Sequence, residues 1–107
     1  MKTYNKLVRD KIPEIIKADG KKPITRILSL DEFETILKRK LVEESSELLR
    51  ARTKEDLIGE LADVYEILDT ILELEDIDRS DVRARQTEKK RQRGGFEKRI
   101  YLETVWD

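Results

Sequence analysis

Residues 33–72 have the sequence FETILKRKLVEESSELLRARTKEDLIGELADVYEILDTIL, and this stretch decides the fold. On both sides of Arg52-Thr53, apolar residues recur at intervals of three and four, which is the period of an amphipathic α-helix. A tight turn at Arg52-Thr53 would lay the two helices antiparallel. The stretch therefore predicts a helical hairpin.

Capping signals outside and inside this stretch predict four helices. Ser29 with Glu32 matches a capping box, Thr53 with Asp56 is a weaker cap, and Asp10 and Ser80 are placed to cap the helices at either end. Gly20 and Gly94 are expected to stop the first and last helices. The predicted bounds are about Lys11–Ala18, Ser29–Ala51, Thr53–Leu74 and Ser80–Arg93.

The length and composition favour a single domain with a small core. The chain has 107 residues, of which 37% are apolar and 44% are charged, so a monomer would have a thin interior. Helices with one apolar stripe often finish burying it against a second copy. We therefore expect one all-α domain, residues 1–107, in which the antiparallel hairpin completes a four-helix-type bundle by oligomerisation. Residues 24–28 and 96–106 are expected to be extended.

Two missing residue types restrict the chemistry. There is no cysteine, which excludes disulfides and thiolate metal sites, and no histidine, which excludes imidazole ligands and histidine acid–base catalysis. Any metal must then be a hard cation bound by oxygen atoms. No apolar run is long enough to span a bilayer, and the N-terminus lacks a signal peptide's apolar core. We expect a cytoplasmic protein with no membrane partner.

Each long helix carries two acids, three residues apart, on its apolar face. In the first helix these are Glu44 and Glu47, on a stripe formed by Phe33, Leu37, Leu41 and Leu48. In the second helix they are Glu60 and Asp63, on a stripe formed by Leu57, Leu61, Val64, Leu68 and Ile71. An antiparallel hairpin puts Glu47 opposite Glu60 and Glu44 opposite Asp63, so all four carboxylates lie at one level.

Four anions in a partly buried place repel one another and lose hydration, so a positive partner is needed among them. Mg²⁺ is the expected oxygen-seeking cation, with Mn²⁺ as a substitute. The alternative is a lysine or arginine from another chain that neutralises the acids across an interface.

The charges are also divided along the chain. Residues 55–81 contain eleven acids and one base, whereas residues 83–99 contain eight bases and two acids. An acidic block followed by a basic block suits a site that gathers a cation and a polyanion. One alternative is a nucleic-acid-binding module that uses the basic segment 83–99, but no recognition motif supports it, so a nucleic-acid partner is not expected. Another is a non-catalytic helical protein that binds nucleotide without cleaving it.

The acids are arranged as Glu43-Glu44-Ser45-Ser46-Glu47, twelve intervening residues, and Glu60-Leu61-Ala62-Asp63. This pattern resembles the ExxE…ExxD signature of the MazG-like all-α nucleoside triphosphate pyrophosphohydrolases. YNKLVRDKIP at residues 4–13 and RGGF at residues 93–96 are similar to the ends of a short branch described as phosphoribosyl-ATP pyrophosphohydrolase-like. The resemblance implies a bundle completed by oligomerisation, usually a dimer, and Mg²⁺-dependent cleavage of a nucleotide between its α and β phosphates.

Site residues follow from the resemblance one by one. The implied metal ligands are Glu44, Glu47, Glu60 and Asp63, of which Glu44 and Glu47 are also implied to be catalytic, and Glu43 is a candidate general base. The candidate phosphate ligands are Lys89, Arg93, Lys6 and Arg9. Larger members have an Asn near a Lys-x-x-x-Arg stretch after the second helix; here Lys89 and Arg93 have no nearby Asn. The nucleotide base and sugar therefore stay open, as does the choice between a normal nucleotide, a damaged one and phosphoribosyl-ATP.

Overall fold

A computed structural model describes residues 1–107 and contains four α-helices and no β-strand. The helices are α1 Ile12–Ala18, α2 Leu30–Arg50, α3 Lys54–Leu74 and α4 Arg79–Arg93. The all-α prediction is therefore confirmed. Neither stretch predicted to be extended forms a strand, and residues 96–99 make a turn in which the Arg99 N–H donates to the Phe96 carbonyl over 3.1 Å.

The helices belong to two compact units, Met1–Glu75 and Asp76–Asp107. The first unit holds α1, α2 and α3, and the second holds α4. The single-domain organisation stays a prediction. None of the four helices combines the length and apolar character that a bilayer crossing requires.

The start of α2 is fixed by the capping box that the sequence predicted. Ser29 Oγ accepts a hydrogen bond from the Glu32 N–H over 3.2 Å, and Glu32 Oε1 accepts one from the Ser29 N–H over 3.2 Å. Arg26 Nη2 donates to Glu32 Oε2 over 3.0 Å, and this bond, together with the bond from the Ser29 backbone, lowers the pKa of Glu32 to about 2. Thr53 caps α3 in the same way, because its Oγ1 accepts from the Asp56 N–H over 3.0 Å.

Two predicted caps are wrong. Asp10 does not cap α1: the N-cap is Lys11, whose backbone is already helical and whose side chain makes no capping bond, whereas a capping side chain needs an extended backbone. At α4 the cap is Asp78 and not Ser80, since Asp78 is extended and its carboxylate accepts from the Ser80 N–H over 3.2 Å. The predicted glycine stop of α1 is confirmed by the positive φ of 81° at Gly20.

The hairpin of α2 and α3 is the centre of the first unit. A connection of only three residues, Ala51–Thr53, joins the two helices, and they pack along each other as an antiparallel pair. Its core is small, because only Leu37 and Ile67 are fully buried, with exposed fractions of 3% and 5%. This confirms the thin interior expected from the composition.

The buried face of α3 is rotated from the predicted stripe. Leu57, Leu61 and Leu68 were expected to be central, but they lie at the exposed rim. The centre is Ile67, and the half-buried residues around it include both predicted acids: Glu60, Asp63, Val64, Thr70, Ile71 and Leu74. One partner helix covers only part of a wide apolar stripe, and the sequence does not say which part. The apolar residues left outside on α2 and α3 include Val42, Leu49, Ile58 and Tyr65.

The Ser29 cap allows a direct test of what fixes the start of α2. Replacing Ser29 with Ala removes the acceptor for the Glu32 N–H, and we expect the free energy of unfolding to fall by about 1 kcal/mol. The matched control is Ser46→Ala, because Ser46 is an exposed serine inside the same helix; its effect should stay within about 0.5 kcal/mol. Urea denaturation followed by circular dichroism measures both. Equal effects of the two substitutions would show that the cap does not stabilise α2.

Candidate metal centre

The hairpin brings three of the four predicted carboxylates together. Glu44 and Glu47 lie one turn apart on α2, and Glu60 faces them from α3. One carboxylate oxygen of each lies within 4.8 Å of the others. We call these residues the three-glutamate cluster. The backbone arrangement follows from the helical spacing of the first two and from the antiparallel register that sets the third opposite them.

The cluster lacks internal partners for its inner oxygens. The Glu44 side chain is only 12% exposed, Glu60 is half-buried, and Glu47 is exposed. While the acids are ionised, Glu44 Oε2 and Glu60 Oε2 are buried without a hydrogen-bond partner. A carboxylate can only accept hydrogen bonds, so two facing carboxylates cannot satisfy each other. A shared proton or a cation can satisfy both atoms at once.

The donor set fits a hard divalent cation. It consists of carboxylate oxygens, which Mg²⁺ and Mn²⁺ prefer, with no nitrogen or sulfur atom. Opposite ligands of an octahedral Mg²⁺ lie about 4.2 Å apart, so the observed spread of 4.8 Å is somewhat loose and can be closed by small side-chain rotations. The partnerless inner oxygens are the observation that favours a cation over an ordinary acidic surface.

The electrostatics of the cluster raise the pKa of Glu60 above its ordinary value of 4.5. Burial is the largest cause, since it disfavours the charged form. The negative charges of Glu47, Glu44 and Asp63 act in the same direction, and a hydrogen bond to the Glu44 carboxylate favours the protonated form further. Without a cation, Glu60 therefore keeps its proton to a higher pH than an ordinary glutamate does.

Asp63, the fourth predicted ligand, is not part of the three-glutamate cluster. It is half-buried on α3, and its Oδ1 accepts a hydrogen bond from Arg9 Nη2 over 2.7 Å. Arg9 was predicted to bind substrate phosphate, and in the structure its guanidinium is paired with this carboxylate. No sequence signal points to this pair, because the two residues are 54 positions apart.

Sequence reasoning also missed Lys40. Its Nζ lies 3.7 Å from Glu44 Oε1, and both side chains are largely buried, with 19% and 12% exposed. The spacing of four residues along α2 could have indicated this ion pair. Lys40 and Arg9 thus place one positive charge on each of the two acids Glu44 and Asp63, and both come from the same chain.

The remaining predicted residues lie outside the cluster. Glu43 is exposed on α2, one turn before Glu47, and Lys6 is exposed ahead of α1. Lys89 and Arg93 are exposed on α4 in the second unit, four residues apart and therefore on one face of that helix. Their neighbours on α4 already make local ion pairs, such as Arg91 with Glu88 at 2.7 Å.

Comparison with known proteins gives one partial match. A protein of Mycolicibacterium smegmatis described as uncharacterized is 51% identical over 49 residues, which are 46% of this chain and 50% of that protein. The chain therefore spans about half the length of the curated relative it matches. No family model matches the chain, and no solved structure does. Function has to be inferred from the site itself.

The raised pKa of Glu60 gives a pH dependence with a definite sign. The folded protein binds this proton more tightly than the unfolded chain, so the stabilisation is complete below pH 4.5 and is lost as pH rises through the higher folded pKa. In EDTA, wild type should therefore lose stability relative to Glu60→Gln between pH 4.5 and neutral pH, and the variant should be the more stable protein at neutral pH.

Urea denaturation at several pH values measures this difference, and the subtraction removes the titration of the other acids. The matched control is Glu66→Gln, an exposed glutamate on α3 outside the cluster. Its difference from wild type should not change over the same range. A flat difference for Glu60→Gln would mean that neither burial nor the neighbouring acids disfavour the charged form of Glu60.

Proposed function

We propose that the chain is a divalent-cation-dependent nucleotide pyrophosphohydrolase. The single observation that carries the proposal is the three-glutamate cluster, in which two buried carboxylate oxygens have no partner while ionised. Such a cluster costs folding free energy unless a proton or a cation binds, and a cation-binding role explains why these acids face one another. The choice of reaction rests on the resemblance of the Glu43–Glu47 and Glu60–Asp63 motifs to the MazG-like enzymes.

Glu44, Glu47 and Glu60 would hold Mg²⁺, or Mn²⁺ in its place, with Asp63 as a fourth ligand. When bound, the metal would supply charge stabilisation for the phosphates and a water of lowered pKa. Glu60 would lose any proton that it carries on binding, because carboxylate ligands bind in their ionised form. Lys40 would stay beside Glu44 Oε1 and keep that carboxylate oriented.

Glu43 is the proposed general base. It is exposed beside the cluster on α2, and its carboxylate is free to take a proton from the attacking water. The net reaction adds water across the anhydride between the α and β phosphates and gives a monophosphate and pyrophosphate.

The substrate polyanion needs more positive charge than one metal ion supplies. Lys6 and Arg9 ahead of α1 are proposed phosphate ligands, and Lys89 with Arg93 on α4 stay phosphate ligands that the resemblance implies. Arginine is suited to this role because its guanidinium can bind two phosphate oxygens at once. Because nucleotides and Mg²⁺ are plentiful in the cytoplasm, the proposed reaction also implies a cytoplasmic protein.

We further propose that a second copy of the chain covers the outer apolar residues of the hairpin. Val42, Leu49 and Tyr65 are well exposed, and Leu49 reaches 88%. With only Leu37 and Ile67 fully buried, the hairpin has little interior of its own. Packing two hairpins would form a bundle of four long helices and bury these residues.

The activity test is a screen of nucleoside triphosphates with Mg²⁺, in which released pyrophosphate is measured. At least one substrate should give pyrophosphate and a monophosphate, and EDTA should abolish the reaction. Glu47→Gln and Glu60→Gln should each lower the rate by at least ~100-fold while the fold stays intact, because each removes a charged metal ligand.

Glu66→Gln serves again as the matched control and should keep wild-type activity, because Glu66 lies outside the cluster. Activity that survives EDTA would contradict the metal-dependent mechanism. Release of inorganic phosphate in place of pyrophosphate would contradict cleavage between the α and β phosphates.

The oligomer is tested by light scattering at micromolar concentration. We expect a particle of at least two chains, and Leu49→Glu should shift it toward the monomer, since it places a charge on the outer apolar surface. The control Arg50→Glu puts a glutamate at the neighbouring polar position, which changes the net charge even more than Leu49→Glu does, and it should leave the oligomer in place. A stable wild-type particle of 12.7 kDa, the mass of one chain, would rule the oligomer out.

A further inference from the structure

The pair of Arg9 and Asp63 links the N-terminal segment to the proposed metal site. Arg9 Nη2 lies 2.7 Å from Asp63 Oδ1, the length of a strong charge-assisted hydrogen bond. Asp63 is one helical turn from Glu60, so it belongs to the same face of α3 as the cluster. The guanidinium therefore holds a carboxylate that the metal would also need.

Arg9 is held in this position by local structure. Its carbonyl accepts a hydrogen bond from the Ile12 N–H over 3.0 Å, which fixes the turn leading into α1. Leu7 and Val8, just before it, are half-buried, whereas the residues ahead of them are exposed. The backbone is thus held on both sides of Arg9. The Arg9 side chain reaches α3 from this fixed backbone position.

The charges around Asp63 show what the pair does for the cation-free protein. Asp63 lies three residues from Glu60 on α3, so its negative charge adds to the charge of the cluster. Arg9 places a positive charge on Asp63, as Lys40 does on Glu44. The inner oxygens of Glu44 and Glu60 receive no such partner. The chain thus supplies a positive partner to Asp63 and to one oxygen of Glu44. It supplies none to the inner oxygens of Glu44 and Glu60.

We propose that Arg9 and the divalent cation compete for Asp63: cation binding displaces the guanidinium and releases it for the substrate. This proposal rests on the proposed function, because it requires a divalent cation at the cluster. A cation bound to Asp63 and the Arg9 guanidinium would be two positive charges on one carboxylate, and their repulsion weakens the hold of each on it. The released guanidinium remains anchored ahead of α1, beside the site, where it can pair with a phosphate oxygen of the nucleotide.

The first measurement is Mn²⁺ affinity by isothermal titration calorimetry on protein freed of metal with EDTA. Because a partly exposed ion pair is a weak competitor, Arg9→Gln should bind Mn²⁺ about two- to five-fold more tightly than wild type. The matched control is Lys11→Gln, which removes one exposed positive charge from the same segment. At physiological salt its effect should be less than about two-fold, since screening weakens distant charges.

The second measurement follows Arg9 itself. In a ¹H–¹⁵N NMR spectrum, the Arg9 Nε–Hε signal is assigned by its loss in Arg9→Lys. Adding Mg²⁺ to wild type should move this signal to the position that it has in metal-free Asp63→Asn, where the pair is already broken. An Arg9 signal that does not respond to saturating Mg²⁺ would overturn the proposal, as would equal Mn²⁺ affinities of Arg9→Gln and wild type.

These outcomes separate the two proposals. If wild type binds neither Mn²⁺ nor Mg²⁺, the proposed function itself fails, and the competition fails with it. If wild type binds the cations but Arg9→Gln gains no more affinity than Lys11→Gln, the metal site stands and the role of Arg9 is wrong.

Discussion

Repulsion among the carboxylates of Glu44, Glu47 and Glu60 is the constraint on which the rest of the structure depends. Their oxygens lie within 4.8 Å inside a hairpin whose fully buried core consists of Leu37 and Ile67. Apolar burial of that size gives little free energy to offset the desolvation of acids. The hairpin can hold them only because a proton or a cation compensates, and Glu60 is the acid whose pKa already rises in response. Folding of the hairpin and binding of a positive partner are therefore thermodynamically linked, so that each favours the other.

The distribution of the chain's own cations supports this view. Lys40 approaches Glu44 on its Oε1 side, and Arg9 approaches Asp63. If these acids served stability alone, cations of the chain would be expected at the inner oxygens, where neutralisation is most needed. The inner oxygens of Glu44 and Glu60 instead have no partner while ionised. Such a pattern is typical of a site prepared for an external ligand, and it is why we favour the metal over a purely structural role.

The sequence predicted the parts of this arrangement that local rules determine. The Ser29 capping box and the helical period were enough to predict the two long helices. The short turn after Ala51 was enough to predict their antiparallel register. The clustering of Glu44, Glu47 and Glu60 followed from those two predictions. The cap of α4 was missed by two residues, because Asp78 and Ser80 are both good capping residues and local preference does not choose between them.

Contacts between distant residues could not be obtained in this way. Arg9 and Asp63 are 54 positions apart, and nothing in either local sequence predicts that they meet. Lys40 is different, since its spacing of four from Glu44 on α2 is a local rule that indicates the ion pair. The functional pairing of Arg9 thus depends on tertiary structure, whereas that of Lys40 depends on the helix alone.

The rotation of α3 determines both which acids face α2 and which apolar residues remain for the proposed oligomer to bury. The sequence offers a wide apolar stripe, and α2 covers only the part centred on Ile67, which is the part that contains Glu60 and Asp63. The rotation therefore turns the acids toward α2 and leaves Leu57, Leu61 and Leu68 at the rim. A hairpin selected for its core alone would bury those leucines first, since each fully buried leucine contributes about 2 kcal/mol. Covering the rim with a second copy would recover that burial without moving the acids. It would also lower the dielectric around the cluster and strengthen its preference for a positive ligand.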